Sequence, residues 1–150
     1  MRSSLVLDRG ERTFVVVFDK EDEVIEGLTD FASRHRLRAS HLTAIGALSD
    51  VVLGYFDRTA RDYRKIPLPE QVEVLSLLGV VTLDGEKPKV HAHIVVGRAD
   101  GSTRGGHLLE GHVFPTLEVV VEELPKHLHR RLDPETGLAL IDLGGRPQAA

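Results

Sequence analysis

The chain contains no cysteine, so neither a disulfide nor a thiolate metal site is open to it. That absence fits a reducing compartment, and the expectation is a cytoplasmic protein. Long apolar runs are also missing. The opening segment Met1 to Arg12 is too charged and too short in apolar residues for a secretory signal, and no later stretch approaches the roughly 20 apolar residues of a membrane-spanning helix. Positive charge is in deficit: 19 Lys and Arg stand against 23 Asp and Glu, a net charge of -4. This argues against a surface devoted to the nucleic-acid backbone, whose affinity comes from concentrated Lys and Arg displacing counterions. The one local basic run, Lys126 to Arg131 directly after Pro125, reads as the cationic end of a short C-terminal helical turn. Nucleophile and phosphate motifs are absent too. Ser76 lies in a strand-like run without a glycine-flanked elbow, and the glycines from Gly101 to Gly106 lack a following Lys-Ser/Thr.

What is present reads as a single domain of 150 residues, with a core over residues 12–143 and loose termini. Phe14 to Phe18 is a continuous β-branched and aromatic run, as expected of a central strand covered on both faces. From Asp22 to His35, Val24, Ile25, Leu28, Phe31 and Ala32 recur with helical period, with Asp19 as N-cap. Ala39 to Ala47 reads as a strand, which gives a strand-helix-strand opening. Val51 to Phe56, Tyr63 to Ile66, Val72 to Leu83, Lys89 to Gly97, His112 to Leu124 and Leu138 to Leu143 are strand-like and separated by turn chemistry. Asp84-Gly85 and Asp100-Gly101 are hairpin signals. Pro115 places its strand at an edge or at a strand start. The pattern predicts an α+β fold, a mixed and mostly antiparallel sheet with one main helix after the first strand.

Among the eight histidines, His91 and His93 alternate on one strand face and so point the same way. His107 follows a glycine pair. A two-residue turn at Asp100-Gly101 pairs Ile94 with His107, which puts His107 on the wrong face; a one-residue shift corrects this, and Gly105-Gly106 is placed to supply it as a bulge. The alternative role for these glycines is to make room for a neighbouring backbone. Three imidazoles suit zinc, and also nickel, copper or iron, and leave a coordination position open. Glu73, Glu110 and Glu118 are the carboxylates available as a general base. Glu73 is the catalytic candidate, on the histidine face or its reverse according to the connection after Asp84. His112 reads as a surface residue or a support for the site, and His35, His41, His127 and His129 show no converging spacing.

The ordered set Glu73 to Gly79, His91-Ala92-His93, Gly105-Gly106-His107-Leu108 with Gly111, and Thr116 to Val119, together with Ala44 to Ala47, resembles the PPC domain of plants and prokaryotes. The resemblance implies a homotrimer with a histidine cluster, here His91, His93 and His107, that holds a metal near a subunit boundary. Plant members place the domain beside an AT-hook. This chain has only Gly144-Gly145-Arg146-Pro147, which lacks the leading Arg of the hook core and reads as a loose tail. The expected function is a regulatory module that binds zinc and a small-molecule ligand or protein partner. The alternatives are a metal-dependent enzyme acting on a small oxygen-rich metabolite and, third, a DNA-associated regulatory protein.

Overall fold

A computed structural model describes residues 1–8 and 10–144 of the chain. In chain order its elements are β1 (Arg2–Asp8), β2 (Arg12–Phe18), α1 (Val24–Arg34), β3 (Ser40–Asp57), β4 (Asp62–Leu68), β5 (Val72–Asp84), β6 (Lys87–Gly97), β7 (Thr103–Glu123), β8 (His129–Leu132) and β9 (Ala139–Asp142). One sheet takes in all the strands in the order β1-β2-β7-β3-β5-β8-β9, with β4 on β3 and β6 on both β5 and β7. Every pairing is antiparallel except the single Leu83–His129 contact of β5 with β8. The predicted α+β class is therefore the observed one. Because β3 and β6 each pair with both β5 and β7, these four strands close into a ring.

Strand β2 is second from the edge, not central, and only one of its faces is covered. Phe14, Val16 and Phe18 are buried, whereas Val15 and Val17 are half-exposed, because α1 packs on one side only. Its outer neighbour is β1, a segment the sequence assigns to a loose terminus. Every residue of β1 is exposed, so no hydrophobic pattern announces it; it is held by its ladder to β2 and by the Met1 ammonium against Asp19 and Asp22, both at 2.8 Å. Both β2 and β3 run antiparallel to β7, which lies between them, so the strand-helix-strand opening joins two parallel strands.

Helix α1 buries Val24, Leu28, Phe31 and Ala32, the stripe its sequence period demands. Its N-cap is Glu23, not Asp19: one Glu23 carboxylate oxygen accepts from the Glu26 amide at 2.6 Å and the other from the Gly111 amide at 3.0 Å. Asp19 is drawn instead to the N-terminal ammonium. Phe31 meets Phe14 edge to face at 5.3 Å, and each such fully buried side chain is worth roughly 1.5–3 kcal/mol.

The two strands predicted at Ala39 to Ala47 and Val51 to Phe56 are one strand, β3. It bends at Gly46, whose φ of +150° and close approach to the Thr116 carbonyl leave no space for a side chain. Pro115 sits neither at an edge nor at a strand start. β7 runs through it, in a gap of the β3 ladder between the pairs Gly46–Leu117 and Leu48–Val113, where no proline amide is needed. The basic run after Pro125 is not a helical turn. His129–Leu132 is strand β8, hairpinned to β9, and no helix follows α1 among the described residues. Arg130 fixes that hairpin through Nε to the Thr82 hydroxyl at 2.6 Å and one guanidinium amino group to the Ala139 carbonyl at 2.7 Å. Of the Gly144 to Pro147 segment, all but Gly144 lies outside the described residues. No described helix is long and apolar enough to cross a membrane.

Candidate metal centre

On β6, Ala92 and Ile94 are buried in the core at 1% exposure each, which forces His91 and His93 onto the other face. The chain returns to β7 through a five-residue loop, residues 98–102, and not a two-residue turn, since Gly97 pairs with Thr103. Asp100 organises the loop by accepting from the Ser102 amide at 2.9 Å and the Ser102 hydroxyl at 2.6 Å, with Gly101 at φ +79°. The loop length itself supplies the one-residue shift, so the bulge expected at Gly105-Gly106 is absent and His93 lies directly opposite His107. The glycines make room instead: a Cβ at Gly106 would sit 2.9 Å from the Gly54 carbonyl, and one at Gly105 3.1 Å from that of Ile94.

The three imidazoles converge. Each offers a ring nitrogen within 4.8 Å of the others, and the ring centroids are 5.0 to 5.4 Å apart. His107 stacks on Tyr63 at 4.6 Å. Gly54, between His107 and Lys65 in the ladder, leaves space for that Tyr63 ring, which a Cβ would approach to 2.8 Å. Burial, and then the neighbouring His91, His93 and Arg130, push the His107 pKa down to about 4. Burial, with Arg130, His93 and Lys89, also lowers that of His91. Both rings are therefore neutral at pH 7, the form in which imidazole ligates a metal. The His107 Nδ1 is buried without a hydrogen-bond partner among the described residues, a cost that a cation bound at that nitrogen would relieve. The donor set fits a transition metal held by His91, His93 and His107 with coordination positions left open.

The carboxylates are placed differently. Glu73 pairs with Gly97, so it shares the histidine face, but it lies four residues beyond His93, roughly 13 Å along the strand. Glu118 pairs with Val17 and Ile45, at the far side of the sheet, and Glu110 pairs with Val52. No carboxylate joins the histidine group among the described residues. His112 belongs to another cluster: its Nδ1 meets Asp50 at 2.9 Å, which raises its pKa. Sequence reasoning missed Tyr63 and Arg130. They reach the site from β4 and β8, and no spacing links them to the histidines.

The histidine face continues into an apolar one. Ladder partners share a face, and one row runs Val15–Val120–Thr43–Leu78–His93–His107. Around its first four members lies an open groove of about 420 Å³, lined by Ile45, Leu75, Leu78 and Val120 among others. Ile45 is 61% exposed, Leu78 55% and Leu75 53%.

These features define a small α+β domain with an open three-histidine site beside an apolar sheet face. The chain belongs to the family described as the Plants and Prokaryotes Conserved (PCC) domain, whose profile matches residues 7–125. Solved structures agree. A plant- and prokaryote-conserved (PPC) protein of Pyrococcus horikoshii is 30% identical, with TM-score 0.84 and 97% of each chain covered. A metal-containing protein of Archaeoglobus fulgidus is 32% identical, with TM-score 0.81, covering 94% of this chain and 98% of that one. A candidate DNA-binding protein of Bacteroides thetaiotaomicron is 26% identical, with TM-score 0.84, covering 93% and 96%. The bifunctional protein GlmU of a Synechococcus strain is 39% identical over 113 residues, 73% of this chain but 17% of that protein. The chain thus spans less than a fifth of the length of that curated relative.

Proposed function

We propose that this protein is a homotrimeric regulatory module that binds zinc at His91, His93 and His107 and takes a small-molecule ligand or protein partner beside the metal. The observation that carries the reading is the convergence of three imidazoles, one with a buried nitrogen that has no partner among the described residues, supplied by a single chain. Zinc is the choice because three imidazoles and an open position suit it, with nickel, copper and iron as the competing ions. The metal-containing Archaeoglobus relative supports a metal at this fold. Assembly is supported by the exposed Ile45, Leu75 and Leu78, a contiguous apolar surface of a kind that marks interaction sites. The absence of cysteine supports a cytoplasmic location.

A bound zinc supplies Lewis acidity and a site for an oxygen donor. An enzyme acting on a small oxygen-rich metabolite is the second reading, favoured by the open position; against it stands the distance of Glu73 from the cluster, which leaves a general base unprovided. A DNA-associated role is third: the Bacteroides relative favours it, and the net charge of -4 opposes it. Metal analysis of protein purified without a histidine tag tests the central reading. The expected result is about one ion per chain, lost in His91→Ala and His107→Ala. Less than about one per three chains, unchanged by either substitution, would remove the site. Turnover of a ligand found by thermal shift would favour the enzyme, and salt-sensitive duplex binding tighter than about 1 μM would favour DNA.

A further inference from the structure

The guanidinium of Arg130 is left incomplete by the described residues of its chain. Nε is spent on the Thr82 hydroxyl and Nη1 on the Ala139 carbonyl, but Nη2 is shielded from solvent and has no acceptor among the described residues. An unpaired donor of a buried charged group is costly, more so than for a neutral one. No aromatic ring among the described residues lies under it as a cation–π partner. Its position is set by the ladder. Thr82 and Val80 share a face of β5, Val80 pairs with His91 and Thr82 with Lys89, so Arg130 is anchored one same-face step, roughly 7 Å, from the partner of His91.

The charge around the histidines has one sign. The charged groups acting on His91 and His107 are Arg130, Lys89 and the other imidazoles. The carboxylate that acts on Arg130 is Asp84, which also accepts from Lys89 at 3.2 Å. A divalent ion on the three imidazoles would add to this positive charge, with no carboxylate among the described residues in the group to offset it. We propose that Arg130 is the anion-recognition residue of the histidine site, and that the ligand is a small organic carboxylate, one oxygen facing the open coordination position and the other accepting from Nη2 of Arg130. This rests on the metal reading above and names its ligand class. A carboxylate fits better than a phosphate because Arg130 has one wholly unpaired amino group, and neither a helix N-terminus nor a glycine cradle adds donors there.

The test uses the full chain loaded with cobalt(II), with the visible spectrum titrated with acetate, acetamide and inorganic phosphate, and cobalt content measured for each variant. Acetate is expected to shift the cobalt bands saturably in the native protein and acetamide to leave them unchanged. Arg130→Gln should hold the same cobalt and bind acetate about tenfold or more weakly. Arg130→Lys, chosen in case the Gln variant loses the β8–β9 hairpin, keeps the charge but cannot span Thr82, Ala139 and a ligand at once, and should bind several-fold more weakly than the native protein. Equal acetate affinity in native and variant proteins, or phosphate bound more tightly than acetate, overturns the proposal. Cobalt absent from the native protein defeats the metal reading instead. In that case acetate stabilisation of the metal-free protein, lost in Arg130→Gln, still supports the arginine's role, and no stabilisation overturns it.

Discussion

The two ends of one ladder row differ as much as any two regions of the molecule. At one end Val15, Val120 and Leu78 make a sheet face of aliphatic side chains open to solvent; at the other His93 and His107, with His91 beside them, gather imidazole nitrogens, among them the buried His107 Nδ1, which has no hydrogen-bond partner among the described residues. The backbone is the same antiparallel ladder throughout. What differs is the occupant each end suits: apolar surface is relieved by more apolar surface, and a cluster of imidazoles by a cation. Leu78 lies directly opposite His93, so an interface built on the apolar end would bring a neighbouring subunit to the rim of the histidine cluster without having to supply a ligand.

That contrast can be broken from either end. Replacing His107 by Ala should abolish the proposed metal binding, an effect of several orders of magnitude in affinity, while sedimentation still reports the proposed trimer; a monomer would show that metal and assembly are one device. Leu78→Asp should do the opposite, splitting the proposed trimer by placing a charge on its apolar face, about 100-fold weaker association or more, with the metal-to-chain ratio unchanged because all three candidate ligands come from one chain. Loss of metal in that variant would mean that a second subunit completes the site. Gly54→Ala is subtler. The added Cβ must displace the Tyr63 ring that stacks on His107, so a stability loss of about 1–3 kcal/mol and a metal affinity reduced about tenfold are expected, read by denaturant midpoint and chelator competition.

The smallest effect is on pH dependence. Folded His107, with a pKa near 4, and folded His91 refuse protons that the unfolded chain accepts below about 6.5. Stability of the metal-free protein from this pair is therefore intact above 6.5 and is lost progressively as pH falls from there toward 4. His112, raised by Asp50, contributes with the opposite sign, favouring the fold once protonated below the unfolded value and losing that as pH rises through its folded pKa. Comparing the urea midpoint at pH 7 and pH 5 for the native protein and His107→Gln isolates the first effect: the native protein should lose more on acidification, and an equal loss would contradict the burial of His107.

The sequence showed the histidine end more fully than the apolar end. Alternation on one strand puts His91 and His93 together whatever the rest of the chain does, and the missing half-step to His107 was recognisable as a register problem, although its solution is the length of the loop 98–102 and not a bulge at Gly105-Gly106. Tyr63 and Arg130 were invisible as site residues because tertiary pairing, not sequence spacing, brings them there. Arg130 in particular reads from sequence as a helix end, since a run of basic residues after proline carries no strand pattern. The apolar face escaped notice because Ile45, Leu75 and Leu78 lie in strands whose buried side supplies the same residue types, so composition cannot tell the core face from the open one. β1 escaped for the opposite reason, having no buried residue at all.

An X-ray crystal structure of tag-free protein, with an anomalous scan across the zinc and nickel absorption edges, tests the central claim most directly. The account predicts one anomalous peak per chain, about 2.0–2.1 Å from a ring nitrogen of each of His91, His93 and His107, with a further position open to an oxygen donor. Imidazoles bonded to water or to one another, with no anomalous density between them, would contradict it.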